Sequence, residues 1–158
     1  MDERTRAIED LYRRRYTAFF NVAASVVQSR ELGHEVVQEA FASALAKRRQ
    51  LRDDAALEPW VWRIALRAAH ARRGDRSLPL DEVGECGLQA LERDLDLDRV
   101  LRTLPPRRRL FVFLRYFGDL SYPEIAAATG VAEGTVAATL AQAQEQLLRE
   151  LSVEEAAG

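Results

Sequence analysis

The chain has 158 residues, 47% of them hydrophobic and 30% charged, with a formal net charge of −2. Such a length buries one modest core or two small ones, and so even a charge balance excludes a uniformly basic nucleic-acid binder, leaving local patches as the only basis for such contacts. A single cysteine, Cys86, excludes an internal disulfide framework, no apolar run reaches the roughly 18 residues of a membrane span, and Met1-Asp2-Glu3-Arg4 lacks the apolar core of a secretory signal, which together predict a cytoplasmic protein.

The charge is unevenly placed. Residues 1–75 hold 14 Lys/Arg against 11 Asp/Glu, residues 76–100 hold 3 against 7, and residues 101–158 hold 6 against 7. An acidic middle therefore separates two segments. Apolar positions recur at helical spacing nearly throughout, with no convincing alternating strand, so the expected class is all-α.

In chain order, Leu11, Tyr12, Tyr16, Phe19, Phe20, Ala23, Val26 and Val27 trace one face of a helix over 5–28. Leu32, Val36, Ala40, Phe41, Ala44 and Leu45 do the same over 31–47. Pro59 suits the first turn of a third helix reaching residue 73, with Trp60, Val61, Ile64, Ala65 and Ala68 inward. Residues 74–87 carry Pro79, Gly84 and several carboxylates, the breaker content of a linker. Leu88, Leu91, Leu95, Leu101 and Leu104 mark a fourth helix that Pro105-Pro106 stops, and Pro106 opens a fifth, closed by Gly118. Helices over 121–129 and 134–151 complete the set, with a frayed tail over 153–158. The domains so defined are 1–75, a linker over 76–95, and 96–153, and so acidic a linker predicts loose geometry between the two modules.

The stretch Leu120 to Val136 has the form of a helix-turn-helix, which presents its second helix to the major groove of DNA. Ser121 and Glu124 form a capping box, Gly130 supplies a left-handed terminator, and Val131 packs the turn. Val136, Leu140, Ala143 and Leu147 face inward at spacings of four, three and four, so Gly134, Ala138, Ala141, Gln142 and Glu145 face outward. The recognition helix has no Lys or Arg from Ala137 to Gln144. Its remaining readers are Thr135, Ala138, Thr139 and Gln142. A glutamine pairs with adenine through two hydrogen bonds and a threonine methyl packs on thymine, whereas phosphate contacts are largely gone. The isolated C-terminal module is expected to bind DNA weakly.

Leu104-Pro105-Pro106-Arg107, Leu114 to Tyr122, Glu124-Ile125-Ala126 and Gly134-Thr135-Val136 together resemble region 4 of bacterial extracytoplasmic-function sigma factors. Val36-Val37-Gln38-Glu39-Ala40-Phe41 resembles the region 2 helix that docks on RNA polymerase, and Trp60 to Ala65 resembles the helix that follows. The resemblance implies a transcription-initiation subunit with no catalytic residues and no cofactor. Its partners would be core RNA polymerase, promoter DNA and an anti-sigma protein.

The resemblance places specific residues. Glu35, Gln38 and Glu39 would face the polymerase clamp, where acidic groups meet basic partners. Arg63, Arg67 and His70, at spacings of four and three, share a face with Arg72 and Arg73 beyond, and can follow a phosphate backbone. Trp60 and Trp62 offer flat surfaces for an unstacked base, although at least one of them must be core. The segment Gln50 to Glu58 stands where the family selects a minus-ten base, with Asp53 and Asp54 able to accept from an exocyclic amine. Arg107, Arg108 and Arg109 oppose the dipole at the start of their helix, which suits contact with phosphate or with a polymerase flap, or a solvated charge run. His34 and His70 give no metal-ligand spacing, and no phosphate loop or nucleophile-base pair is visible, so no enzyme activity is assigned. Cys86, among Asp81, Glu82 and Glu85, reads as an ordinary thiol. A rival reading keeps the sigma scaffold for a regulatory or interaction protein that no longer initiates transcription.

Overall fold

The computed structural model describes residues 1–74 and 95–157, all of its regular elements being helical. The expectations at Leu88, Leu91 and Cys86 lie outside the described residues.

Helix α1 spans Glu3–Val27. Asp2 caps it by accepting from Thr5 N at 2.7 Å, and Gln28, at φ 56°, ends it in the left-handed region. Helix α2, Arg30–Ala46, is capped by Ser29, whose hydroxyl accepts from Leu32 N at 3.2 Å. Two 3-10 turns, Arg48–Gln50 and Asp54–Ala56, lead into α3, Leu57–Gly74. The three pack around an aromatic centre: the Phe19 and Trp62 rings stack with centroids 3.8 Å apart, and Phe41 meets Phe19 edge-on at 5.1 Å. Gly33 sits where α1 and α2 touch, since a Cβ there would lie 2.9 Å from Ala24 Cα.

The second module begins with α4, Leu95–Thr103, and α5, Pro106–Val112, which continues through a π-helical turn over Phe113–Phe117. Gly118 closes it, but the left-handed step falls on Asp119, at φ 55°. Gly118 is needed for closeness instead, because a Cβ would meet Leu114 O at 2.8 Å and Val22 Cγ2 at 3.0 Å. Helix α6, Tyr122–Thr129, and α7, Glu133–Ala157, form the helix-turn-helix. The expected capping box is complete: Ser121 Oγ accepts from Glu124 N at 3.2 Å and Glu124 Oε1 accepts from Ser121 N at 2.9 Å. Gly130 ends α6 at φ 75°. The tail expected to fray is instead helical to Ala157.

The two modules do not stand apart as the acidic linker suggests. Arg15, on α1, donates to Glu58 Oε1 at 2.9 Å and to Gly118 O at 2.7 Å, and Arg63 Nε donates to Ala127 O at 2.8 Å. Buried side chains run in one cluster from Trp62 and Val22 through Phe113 and Leu120 to Ile125. Linker composition predicts loose geometry because it takes no account of the apolar and polar surface that α1 and α3 offer to residues 113–129.

A candidate nucleic-acid interface

Helix α3 carries the cationic face. Arg63, Arg67 and His70 are all exposed and, with Leu66, they line one wall of an open cleft of about 600 Å³ whose other wall is Leu110, Ala128, Thr129 and Gly130. The spacing read from sequence therefore does bring the three groups together. Arg63 is not idle there, because its bond to Ala127 O occupies one of the unpaired carbonyls that a helix leaves at its C-terminal end. His70 Nδ1 lies 2.7 Å from Leu66 O.

Arg72 turns the other way. Its Nη1 donates to Glu35 Oε2 at 3.0 Å and its Nη2 to Glu39 Oε2 at 3.1 Å, so it binds two of the residues assigned to the polymerase. The hydrogen bond and charge of Glu39, then those of Glu35, hold its pKa above the ordinary arginine value. Glu35, Gln38 and Glu39 remain exposed on α2.

Only one tryptophan is available to a base. Trp62 is 1% exposed beneath Phe19, so its place among DNA-contacting residues is corrected: it is core, because position 62 falls on the inward side of α3 with Ala65, Leu66 and Ala69. Trp60 is part-buried and borders a second cavity of about 310 Å³, shared with Gln50, Leu51, Arg52, Asp53, Ala56 and Pro59. The loop read as base-selecting and the ring read as base-stacking thus meet at one opening. Asp53 caps its turn by accepting from Ala55 N at 3.0 Å.

The arginine triplet divides into three roles. Arg107 lies over the Phe111 ring at 5.7 Å. Arg108 donates to Gln142 Oε1 at 3.2 Å and to Gln146 Oε1 at 3.1 Å. Arg109 is 3% exposed and donates through Nη2 to Leu104 O at 2.9 Å and Arg102 O at 3.3 Å, tying down the end of α4. Burial, with Arg73 and Arg102 nearby, pushes its pKa down. A solvated charge run is therefore the wrong description of Arg109, which only its position distinguishes in sequence from Arg107 and Arg108.

On α7, Val136, Leu140 and Ala143 are buried and Gly134, Thr135, Ala138, Ala141, Gln142 and Glu145 are exposed, as their spacing predicts. Thr139 is a second correction. It is 8% exposed and its Oγ1 donates to Thr135 O at 2.7 Å, so it follows Leu140 inward and has no free hydroxyl for a base.

Among the described residues, no group of three His, Cys, Asp or Glu side chains is placed to hold a metal ion, and no helix is long and apolar enough to cross a membrane. The α1–α3 bundle followed by a capped helix-turn-helix defines a sigma-70 type transcription factor. Residues 11–77 match sigma-70 region 2 and residues 94–147 match sigma-70 region 4, between them most of the chain. The chain belongs to the extracytoplasmic-function group of these sigma factors.

Relatives extend over nearly its full length. RNA polymerase sigma factor SigV of Bacillus subtilis (strain 168) is 29% identical over 143 residues, 87% of this chain and 86% of that protein. The ECF sigma factor SigM of Mycobacterium tuberculosis is 28% identical over 149 residues, 90% of this chain and 76% of that one. The RNA polymerase sigma-E factor of Streptomyces coelicolor is 28% identical over 151 residues, 90% and 85% of the two chains. The fold is shared with CnrH, solved in complex with the cytosolic domain of CnrY, at a TM-score of 0.72 and 22% identity over 94% of this chain and 89% of that one.

Proposed function

We propose that this protein is a cytoplasmic sigma factor that docks core RNA polymerase through α2 and directs it to promoters through α3 and α7. The observation that carries the reading is the presence, in one chain and in the family's order, of a region 2 bundle with an exposed acidic face and a region 4 helix-turn-helix with its caps intact. Glu35, Gln38 and Glu39 are the polymerase-facing residues. Arg63, Arg67 and His70, with Arg73, follow the promoter backbone near the minus-ten element, and Trp60 receives an unstacked base at the opening shared with Asp53. Thr135, Ala138 and Gln142 face the minus-thirty-five element, with Arg107 and Arg108 beside them. Residues 1–75 and 96–153 serve as the two modules and 76–95 as the connection.

The chain's part is recognition, with bond-making left to the polymerase. By analogy with CnrH and CnrY, a cytosolic segment of a regulatory protein is the partner that would hold it inactive. The rival, a sigma-like interaction protein that no longer initiates transcription, has only the arginine-poor α7 in its favour.

Co-purification with core RNA polymerase tests the assignment. The full chain should be retained, and the triple variant Glu35→Ala, Gln38→Ala, Glu39→Ala should be lost at a salt concentration that spares the parent. Equal retention of both would remove α2 from the contact.

A further inference from the structure

Helix α7 has no Lys or Arg from Glu133 to Leu148, its first being Arg149, so the part of its outward face from Thr135 to Gln142 has no cation of its own. Gln142 stands on that face, exposed, one turn beyond Ala138. Arg108, from the first turn of α5, reaches across to it: Nη2 lies 3.2 Å from Gln142 Oε1 and Nη1 lies 3.1 Å from Gln146 Oε1. Gln146 Nε2 in turn approaches Thr103 O at 3.4 Å, which steadies the second carboxamide. A guanidinium has only donors, so the end of each glutamine that faces Arg108 has to be the oxygen. The amide orientation of Gln142 is set by chemistry.

That orientation decides what Gln142 can read. Adenine readout by glutamine uses both ends of the amide, Oε1 accepting from N6–H and Nε2 donating to N7. Here one of the two lone pairs of Oε1 is taken by Arg108, and the positive guanidinium beside the other repels the hydrogens of an adenine amino group. Nε2 keeps its two donors. In the major groove guanine presents two acceptors, N7 and O6, thymine presents one, adenine sets its acceptor beside a donor, and cytosine offers only a donor.

We propose that Arg108 is a positioning residue for base readout, which holds Gln142 as a donor-only contact and so makes the base it meets guanine instead of adenine. This rests on the reading of α7 as the helix that enters the groove at the minus-thirty-five element. The same contact supplies, from a neighbouring helix, the positive potential that the N-terminal half of α7 lacks in its own sequence.

The test uses holoenzyme assembled from the full chain and core RNA polymerase, selecting from duplexes in which the minus-thirty-five element is randomised. The parent should favour guanine over adenine by about tenfold at one position, the scale of a good base contact, and Gln142→Ala should be indifferent there. Arg108→Ala should shift that position towards adenine, whereas Arg108→Lys, which keeps a donor, should retain guanine. Adding Arg108→Ala to Gln142→Ala should change nothing further at that position. Circular dichroism checks that each variant is folded.

An adenine preference in the parent, or an unchanged guanine preference in Arg108→Ala, overturns the proposal. So does a uniform loss of affinity without a change in base order, which is the mark of a phosphate contact. A holoenzyme that forms but selects no base in the element overturns the reading of α7 itself, and is distinguishable because all variants are then equally indifferent.

Discussion

Replacing Trp62 separates a core role from a promoter role. The indole is 1% exposed and stacks 3.8 Å from Phe19, centroid to centroid. Truncating a buried aromatic to alanine costs about 3–5 kcal/mol, so Trp62→Ala should lower the melting temperature by roughly 8–16 °C in a chain of this size. Trp62→Phe should behave differently. The indole Nε1 is buried without a partner, and an orphaned donor of that kind costs about 1–3 kcal/mol, which offsets most of what the smaller ring loses in packing. Its stability should stay within about 1 kcal/mol of the parent. Trp60→Ala, at a part-buried ring, should leave most of the stability and reduce promoter opening. Thermal unfolding by circular dichroism and promoter opening by fluorescence of a base analogue give the two readouts. A Trp62→Ala protein that melts at the parental temperature yet fails to open promoters would return Trp62 to the DNA-contacting surface.

Gly33→Ala should destabilise the first module by about 1–3 kcal/mol, because the new Cβ meets Ala24 backbone that cannot move aside; chemical denaturation measures it. Asp2 has its pKa held well below the ordinary carboxylate value by Arg48, whose Nε donates to it at 2.8 Å, and by the Thr5 amide. A lowered carboxylate stabilises above its unfolded pKa and loses that contribution as pH falls through the folded one, so the start of α1 should fray only in strong acid. The Thr5 amide resonance followed by NMR reports it, and Asp2→Asn should abolish the dependence while keeping the cap. Arg15→Ala removes bonds to both Glu58 and Gly118, and should widen the separation of the two modules in solution scattering without unfolding either.

Most of the fold was legible because helices announce themselves through spacing. The stripe from Leu11 to Val27, the Ser121–Glu124 box and Gly130 each depend on neighbours within one or two turns, and each stands where local rules put it. What failed depended on which groups a side chain meets once the helices are packed. Trp60 and Trp62 sit on different sides of one helix, and only the position of Phe19 shows which is core. Arg109 looks like its two neighbours in sequence, but the carbonyls of Arg102 and Leu104 are there to receive it. Thr139, counted among the readers because a threonine methyl suits thymine, is buried instead, its hydroxyl satisfied on Thr135 O. Gly33 in mid-helix reads as a weakness, and the reason for it lies on α1. The packing of the two modules could not be seen at all, since it rests on Arg15 and Arg63 meeting carbonyls more than sixty residues away.

A sigma factor gives core RNA polymerase its choice of promoter. In-vitro transcription with core enzyme on a pool of genomic fragments measures that directly. Addition of the protein should produce transcripts from a small set of start sites sharing one upstream sequence, and the α2 triple variant should produce none. Transcription that is unchanged by the protein, or initiation at sites with no common sequence, would mean that the chain does not select promoters.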